Sequence, residues 1–327
     1  MELKKEIADR ASIFNNELDT FLKIEQPENL YEASRHLPMA GGKRLRPVLT
    51  MLCCEAVGGK AIEALPFALA VEIIHNFTLV HDDIMDKSTL RRNLQTVHLK
   101  YSEPTAILAG DLLFVKAFEA LEKYPKDILL FRKLNNHLIQ SVIEVCEGQQ
   151  LDMNFENRLI VPESEYIEMI RKKTSALFRI SADGGALIGG GSKEVVKALN
   201  SYGTSLGLAF QIRDDYLDMS STAKTLGKDI GNDIRNGKKT LIAVHALSHC
   251  KEDTEPILRT IFGNAKAKKK DVEHVYDLFK QCGSIDYAAK KAEAYSKKAI
   301  QELDTLEDSK AKNILHELAL YSMTREK

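Results

Sequence analysis

Apolar residues recur every three or four positions along almost the whole chain, the interval that gathers them on one face of an α-helix. Ile7, Phe14, Leu18 and Phe21 set this rhythm in residues 1–23. The same pattern runs over about 43–57, 60–86, 105–123, 126–155, 163–188, 193–219, 239–250, 268–282, 284–304 and 307–323. Sustained apolar–polar alternation, the mark of a half-buried strand, is scarce. The breaks fall at Pro27, Gly41-Gly42, Gly58-Gly59, Pro104, Pro125, Pro162 and Gly189-Gly190-Gly191. Short connections, no low-complexity linker and no repeat predict an all-α fold in a single domain spanning residues 1–327.

Composition narrows the picture without changing it. The chain is 44% hydrophobic and 28% charged, with a formal net charge of -1. That balance is ordinary for a globular protein and gives no reason to expect a nucleic-acid or polybasic membrane binder. The most apolar stretch, ALPFALAVEII, is interrupted by Pro66 and Glu72, so no transmembrane span is expected. MELKKEIADR has no apolar signal region, and a cytoplasmic protein is expected. Cys53, Cys54, Cys146, Cys250 and Cys282 form no CxxC pair and are expected to be free thiols.

The chemistry is concentrated in two acidic clusters. HDDIMDKSTLRRN, residues 81–93, carries Asp82, Asp83 and Asp86. On a helix Asp82 and Asp86 share a face, with His75 further back on the same stripe and Asp83 one step round. A solvated acidic face would be flanked by other charges, but the preceding VEIIHNFTLV is mostly apolar. Adjacent carboxylates of this kind suit Mg²⁺, which takes one or two carboxylates, keeps waters and binds phosphates. A di-iron bundle would need Glu-x-x-His pairs, and none is clean here. FQIRDDYLD, residues 210–218, repeats the spacing with Asp214, Asp215 and Asp218. Facing one another, the two clusters would form a pocket that needs divalent cations and suits a diphosphate between them.

Cations flank both clusters. GGKRLRP supplies Lys43, Arg44 and Arg46 beside two glycines, and Arg91 and Arg92 follow the first cluster. KKTSAL supplies Lys172, Lys173 and Thr174, and TLGKDIGNDIRNGKKT supplies Lys228, Lys238 and Lys239 in a glycine-punctuated stretch. Glycines permit close backbone approach to an anion, and helix N-termini favour one.

Taken in order, GGKRLRP, HDDIMD, RR, GQQLD, KT, FQIRDDYLD and GKDIGNDIRNGK resemble the trans-prenyltransferases of the isoprenyl diphosphate synthase, or polyprenyl synthetase, family. The resemblance covers about residues 36–245. It implies an all-α ring of helices around a deep cavity, a homodimer, and head-to-tail condensation of isopentenyl diphosphate with an allylic diphosphate in isoprenoid biosynthesis. It also implies about three Mg²⁺ ions, held by Asp82, Asp86 and Asp214 with Asp83, Asp215 and Asp218 in support. Arg91, Lys173 and Lys238 would grip the allylic diphosphate, Lys228 would help close the site, and Lys43, Arg46, His75 and Arg92 would hold isopentenyl diphosphate. Thr174 and Gln211 would present oxygens to the developing cation. Ile242 stands where the family often has proline, a departure expected to alter a helix start and not the chemistry.

Product length should follow from the residues upstream of Asp82. Phe77 lies roughly 7.5 Å down the helix axis and the small Thr78 follows it. An aromatic followed by a small residue resembles the archaeal geranylgeranyl type, with Phe77 as the floor of the cavity. Farnesyl and geranylfarnesyl products are the alternatives. Three other readings fit the motifs less well. A non-catalytic subunit would lose an acidic motif, and a terpene cyclase would lack GGKRLRP and the second DDxxD. A structural bundle would bind no diphosphate.

Overall fold

The computed structural model describes residues 2–124, 127–156, 158, 160–224, 231–249 and 255–324. The fold is all-α. In chain order come α1 (Glu2–Phe21), α2 (Glu28–Met39), α3 (Leu45–Ala56) and α4 (Leu65–Met85). A two-stranded antiparallel hairpin follows, β1 (Leu90–Arg91) with β2 (Leu94–Gln95). Then come α5 (Val97–Lys100), α6 (Glu103–Leu121), α7 (Ile128–Glu156), α8 (Glu163–Ile170), α9 (Ala176–Ile188) and α10 (Lys193–Lys224). The last are α11 (Gly231–Asn236), α12 (Leu241–His249), α13 (Glu255–Ile261), α14 (Lys269–Gln281), α15 (Ser284–Glu302) and α16 (Lys310–Thr324).

The chain folds as two compact units, both discontinuous in sequence. The first comprises Met1–Val142, Leu177–Asn200 and Leu303–Glu317; the second comprises Ile143–Ala176, Ser201–Glu302 and Leu318–Lys327.

In the first unit α4 is the central element, packed against α1, α2, α3 and α6. Pro66 sits in its first turn, where a missing N–H costs nothing. A 3₁₀ turn, Ala61–Ala64, precedes it, with the Glu63 carboxylate accepting from the Lys60 amide at 3.1 Å. The helix stops at Asp86 because Lys87 turns into the left-handed region. By length and composition Ala61–Met85 could cross a membrane, but 61% of its apolar window is buried inside the fold, as befits a core helix. On α9, Gly184 lets the Phe67 ring of α4 come close; a Cβ there would stand 2.1 Å from it. The α6 helix is capped by Ser102, whose hydroxyl accepts from the Thr105 amide at 3.2 Å.

The second unit has its own core. Phe155, Tyr166, Ile170, Ile212, Leu241, Val275 and Phe279 are among its fully or nearly fully buried members. Here α12 packs against α8, α14 and α15. At the start of α12, with Ile242 in its first turn, the Thr240 hydroxyl accepts from the Ala243 amide at 3.3 Å.

Several elements depart from the periodicity, among them the short helices α5, α11 and α13, which lie outside the expected segments. The α2 helix was not expected, because its buried face is made of Ala33, Ser34, Leu37 and Pro38, only one of them a large apolar residue. The pattern over 163–188 is not one α-helix: Arg171–Ser175 forms a π turn between α8 and α9. Among the described cysteines, Cys53, Cys54 and Cys146 are free as expected, whereas Cys282 is disulfide-bonded.

Candidate active site

Asp82, Asp83 and Asp86 sit at the C-terminal end of α4. The helix macrodipole is negative there, so carboxylates at this end repel the backbone as well as one another. They need a cation. Asp83 has one within the protein: it is buried, and the Arg91 Nε donates to both its oxygens, at 2.8 and 2.9 Å. Burial still raises its carboxyl above the usual range, against the pull of Arg91. Asp82 is half-buried and Asp86 is exposed, one turn apart. Hard carboxylate oxygens in this setting fit a divalent cation such as Mg²⁺. Among the described residues no three His, Cys, Asp or Glu side chains already gather as a metal cage.

The hairpin explains the paired arginines. Its turn residues, Arg92 and Asn93, both take left-handed conformations, with φ 52° and 62°. Arg91 therefore returns to Asp83, while Arg92 reaches the opposite way and donates to the carbonyls of Leu37, at 3.1 Å, and Gly41.

Those carbonyls belong to the end of α2 and the glycine loop before α3. Gly41 and Gly42 have φ of 84° and 141°, conformations that need glycine, and a Cβ on Gly42 would press the Arg92 guanidinium at 3.2 Å. Lys43 is exposed. Arg46 is half-buried, with its guanidinium 4.6 Å from the centre of the Phe178 ring. His75 of α4 lies within the field of these cations. Burial, then Arg46, Arg92, Arg91 and Arg44, push its imidazole well below the usual range, so it is neutral.

Upstream of Asp82, Phe77 packs edge-on to His81, with ring centroids 4.9 Å apart, and tilted against Phe114 of α6, at 5.4 Å. Phe114 in turn meets Phe118 at 5.2 Å. Thr78 donates its hydroxyl to the His75 carbonyl at 2.8 Å. Gly110 of α6 makes room for His81, for a Cβ there would stand 2.1 Å from the His81 ring.

In the second unit the π turn carries Lys173 and Thr174. A π turn inserts one extra residue and re-aims the side chains beside it. Gly148 of α7 lies against that turn, and a Cβ on it would stand 2.3 Å from the Lys173 amide nitrogen. Lys173 Nζ donates to Asp152 at 2.5 Å, and Thr174 Oγ1 donates to Gln211 Oε1 at 2.8 Å. The Gln211 amide then donates to one oxygen of Asp215 at 3.0 Å, and the buried Tyr166 hydroxyl donates to the other at 2.8 Å. Thr174, Gln211 and Asp215 are thus brought together, and Asp215 holds the pair in register. Asp214 is half-buried on α10, and Asp218 follows one turn later on the same helix. Lys238 is exposed, while its neighbour Lys239 is buried, donates to the Gly237 carbonyl at 2.8 Å, and lies 4.9 Å from the Phe262 ring centre. Lys228 lies outside the described residues. Gly148 and Asp152 belong to GQQLD, a motif visible in sequence with no role assigned to its members. Tyr166 and Glu72 carried no sequence signal beyond Glu72 breaking an apolar run.

The family model for polyprenyl synthetase matches residues 27–279. A geranylgeranyl diphosphate synthase from Methanosarcina mazei is 44% identical over 326 residues, covering 100% of this chain and 99% of its own. The crystal structure of geranylgeranyl pyrophosphate synthetase from Pyrococcus horikoshii superposes with a TM-score of 0.94 at 44% identity, covering 99% of both chains. A polyprenyl synthase from Caulobacter crescentus, solved with calcium and isoprenyl diphosphate, is 29% identical with a TM-score of 0.88, covering 99% of this chain and 98% of its own. An all-α chain with two DDxxD clusters and this likeness along its whole length belongs to the polyprenyl synthetase family, whose members are prenyltransferases.

Proposed function

We propose that the chain condenses isopentenyl diphosphate head-to-tail with an allylic diphosphate and stops at geranylgeranyl diphosphate. The observation that carries this reading is the end of α4: carboxylates gathered at the negative pole of a helix, with the Arg91 guanidinium already paired to Asp83 beside them. The full-length likeness to geranylgeranyl diphosphate synthases supports the product.

In this reading Asp82, Asp86 and Asp214 hold about three Mg²⁺ ions, with Asp83, Asp215 and Asp218 in support. Bound magnesium supplies charge neutralisation to a leaving diphosphate. Arg91, Lys173 and Lys238 take the remaining charge as the allylic carbon–oxygen bond breaks, and Lys228 helps to close the site. Lys43, Arg46, His75 and Arg92 orient isopentenyl diphosphate so that its double bond attacks the allylic carbon. The new carbon–carbon bond leaves a cation that loses a proton. Thr174 and Gln211 present oxygens to the positive charge as it develops. Phe77, backed by Phe114 and Phe118, ends the apolar channel and sets the length at four isoprene units. The chain works as a homodimer, a reading supported by an exposed apolar face on α6, where Leu108 and Val115 are 56% and 61% exposed.

Removal of divalent cations by a chelator is expected to abolish condensation, with full recovery on adding Mg²⁺. Asp82→Ala is expected to lower turnover by about 10²–10³-fold while the thermal midpoint holds. Activity that persists in the chelator, or in Asp82→Ala, would sink the metal assignment.

A further inference from the structure

We infer that Arg44 and Glu72 form a positioning pair that sets the substrate anion site without touching substrate. The inference rests on the reading of Lys43 and Arg46 as isopentenyl diphosphate ligands. Glu72 is the charge that interrupts the most apolar run of the chain, and it is 3% exposed. Its partner, Arg44, is 4% exposed and comes from the middle of GGKRLRP. The Arg44 Nη1 donates to Glu72 Oε1 at 2.8 Å. Its Nε donates to Asn15 Oδ1 at 2.9 Å, and its Nη2 donates to the Pro38 carbonyl. A buried ion pair seldom repays its desolvation, so its retention calls for a role other than stability.

The backbone supplies that role. Arg44 itself stands at φ 49°, ψ 35°, a left-handed conformation that a residue with a Cβ adopts only when its surroundings hold it there. It is also the residue on which α3 begins, and its carbonyl accepts from Val48 at 3.1 Å. The left-handed turn therefore fixes the angle between the loop that carries Lys43 and the first turn of α3, which carries Arg46. Glu72 stands one turn before His75 on α4, so the same ion pair ties this corner to the helix that presents His75. Arg92 holds the other side of the loop through the Gly41 carbonyl. Lys43, Arg46 and His75 are thus tied to one another through one buried pair, and Arg92 joins them through the loop. Neither Arg44 nor Glu72 needs to reach the ligand.

The test separates the two substrates. KM for isopentenyl diphosphate and KM for the allylic primer are measured in Glu72→Gln and in Asn15→Ala, with thermal unfolding alongside. Glu72→Gln is expected to raise KM for isopentenyl diphosphate about tenfold or more, with KM for the primer within about twofold. Asn15→Ala removes only one part-buried hydrogen bond to Arg44 and is expected to move the same KM by a smaller factor. An unchanged isopentenyl KM in both variants, or an equal rise in both KM values, overturns the inference. If Glu72→Gln does not fold, Asn15→Ala decides. Lys43→Ala and Arg46→Ala keep the two claims apart. If they leave the isopentenyl KM unchanged, the anion-site reading fails and takes the positioning role with it. If they raise it while Glu72→Gln and Asn15→Ala do not, the positioning role alone fails.

Discussion

His75 shows how one residue can be prepared for a ligand that brings its own charge. Burial and four neighbouring guanidiniums hold its imidazole neutral, so the corner carries no more positive charge than the arginines already give it. The consequence for stability has a definite sign. An imidazole whose folded value lies below the ordinary 6.5 binds its proton first in the unfolded chain. Stability is therefore intact above pH 6.5 and falls as the pH drops below it. His75→Gln removes this contribution. Between pH 7 and 5.5 the wild type is expected to lose about 1 kcal/mol more than His75→Gln, with no difference in slope at higher pH. Parallel curves from denaturant unfolding would show that His75 titrates normally. The aspartates were legible residue by residue because their spacing needs only helical geometry. The division of labour within each cluster was not. Asp83 turns inward to Arg91 across the hairpin, and Asp215 turns to Gln211 one turn back and to Tyr166, 49 residues away; spacing along one helix announces neither choice.

At the scale of elements, α6 illustrates two faces with two fates. Phe114 packs on Phe77 of α4, and Phe118 packs on Phe114, so aromatic bulk gathers at Phe77, about one and a half turns before Asp82. Leu108 and Val115, seven residues apart and so on one stripe, remain exposed. A stripe of that kind on a helix so central to its unit is expected to be covered by a second copy. Val115→Glu is therefore expected to convert a dimer to a monomer in sedimentation equilibrium; a wild type that sediments as a monomer would contradict this. The periodicity anticipated most helices, since each has a continuous apolar face. It missed α2, whose buried face uses Ser34 and Pro38, and the short α5, α11 and α13, and it ran α8 into α9 across the π turn. The π turn has no periodic signature, because one inserted residue leaves the apolar pattern on both sides intact. A local sign of it lies in Gly148 of α7, where a Cβ would stand 2.3 Å from the Lys173 amide nitrogen.

For the molecule as a whole, the fold class, the family and the prenyltransferase activity were legible because the motifs are short, ordered and chemically overdetermined: two acidic clusters are unstable without cations, and the basic segments have no reason to accompany them unless an anion is shared. What sequence could not supply was the supporting layer. The Arg44–Glu72 pair, the Asp152–Lys173 pair and the Tyr166 hydroxyl join segments far apart in the chain, and no local pattern announces them. The central claim is that this chain makes a four-isoprene diphosphate by magnesium-dependent condensation. The most direct measurement is the chain length of the products formed from Mg²⁺, isopentenyl diphosphate and, separately, dimethylallyl, geranyl and farnesyl diphosphates, read by chromatography. Geranylgeranyl diphosphate as the dominant product from each primer is the predicted result. A three- or five-isoprene product would contradict the placement of the floor at Phe77, and no condensation with any primer would contradict the activity itself.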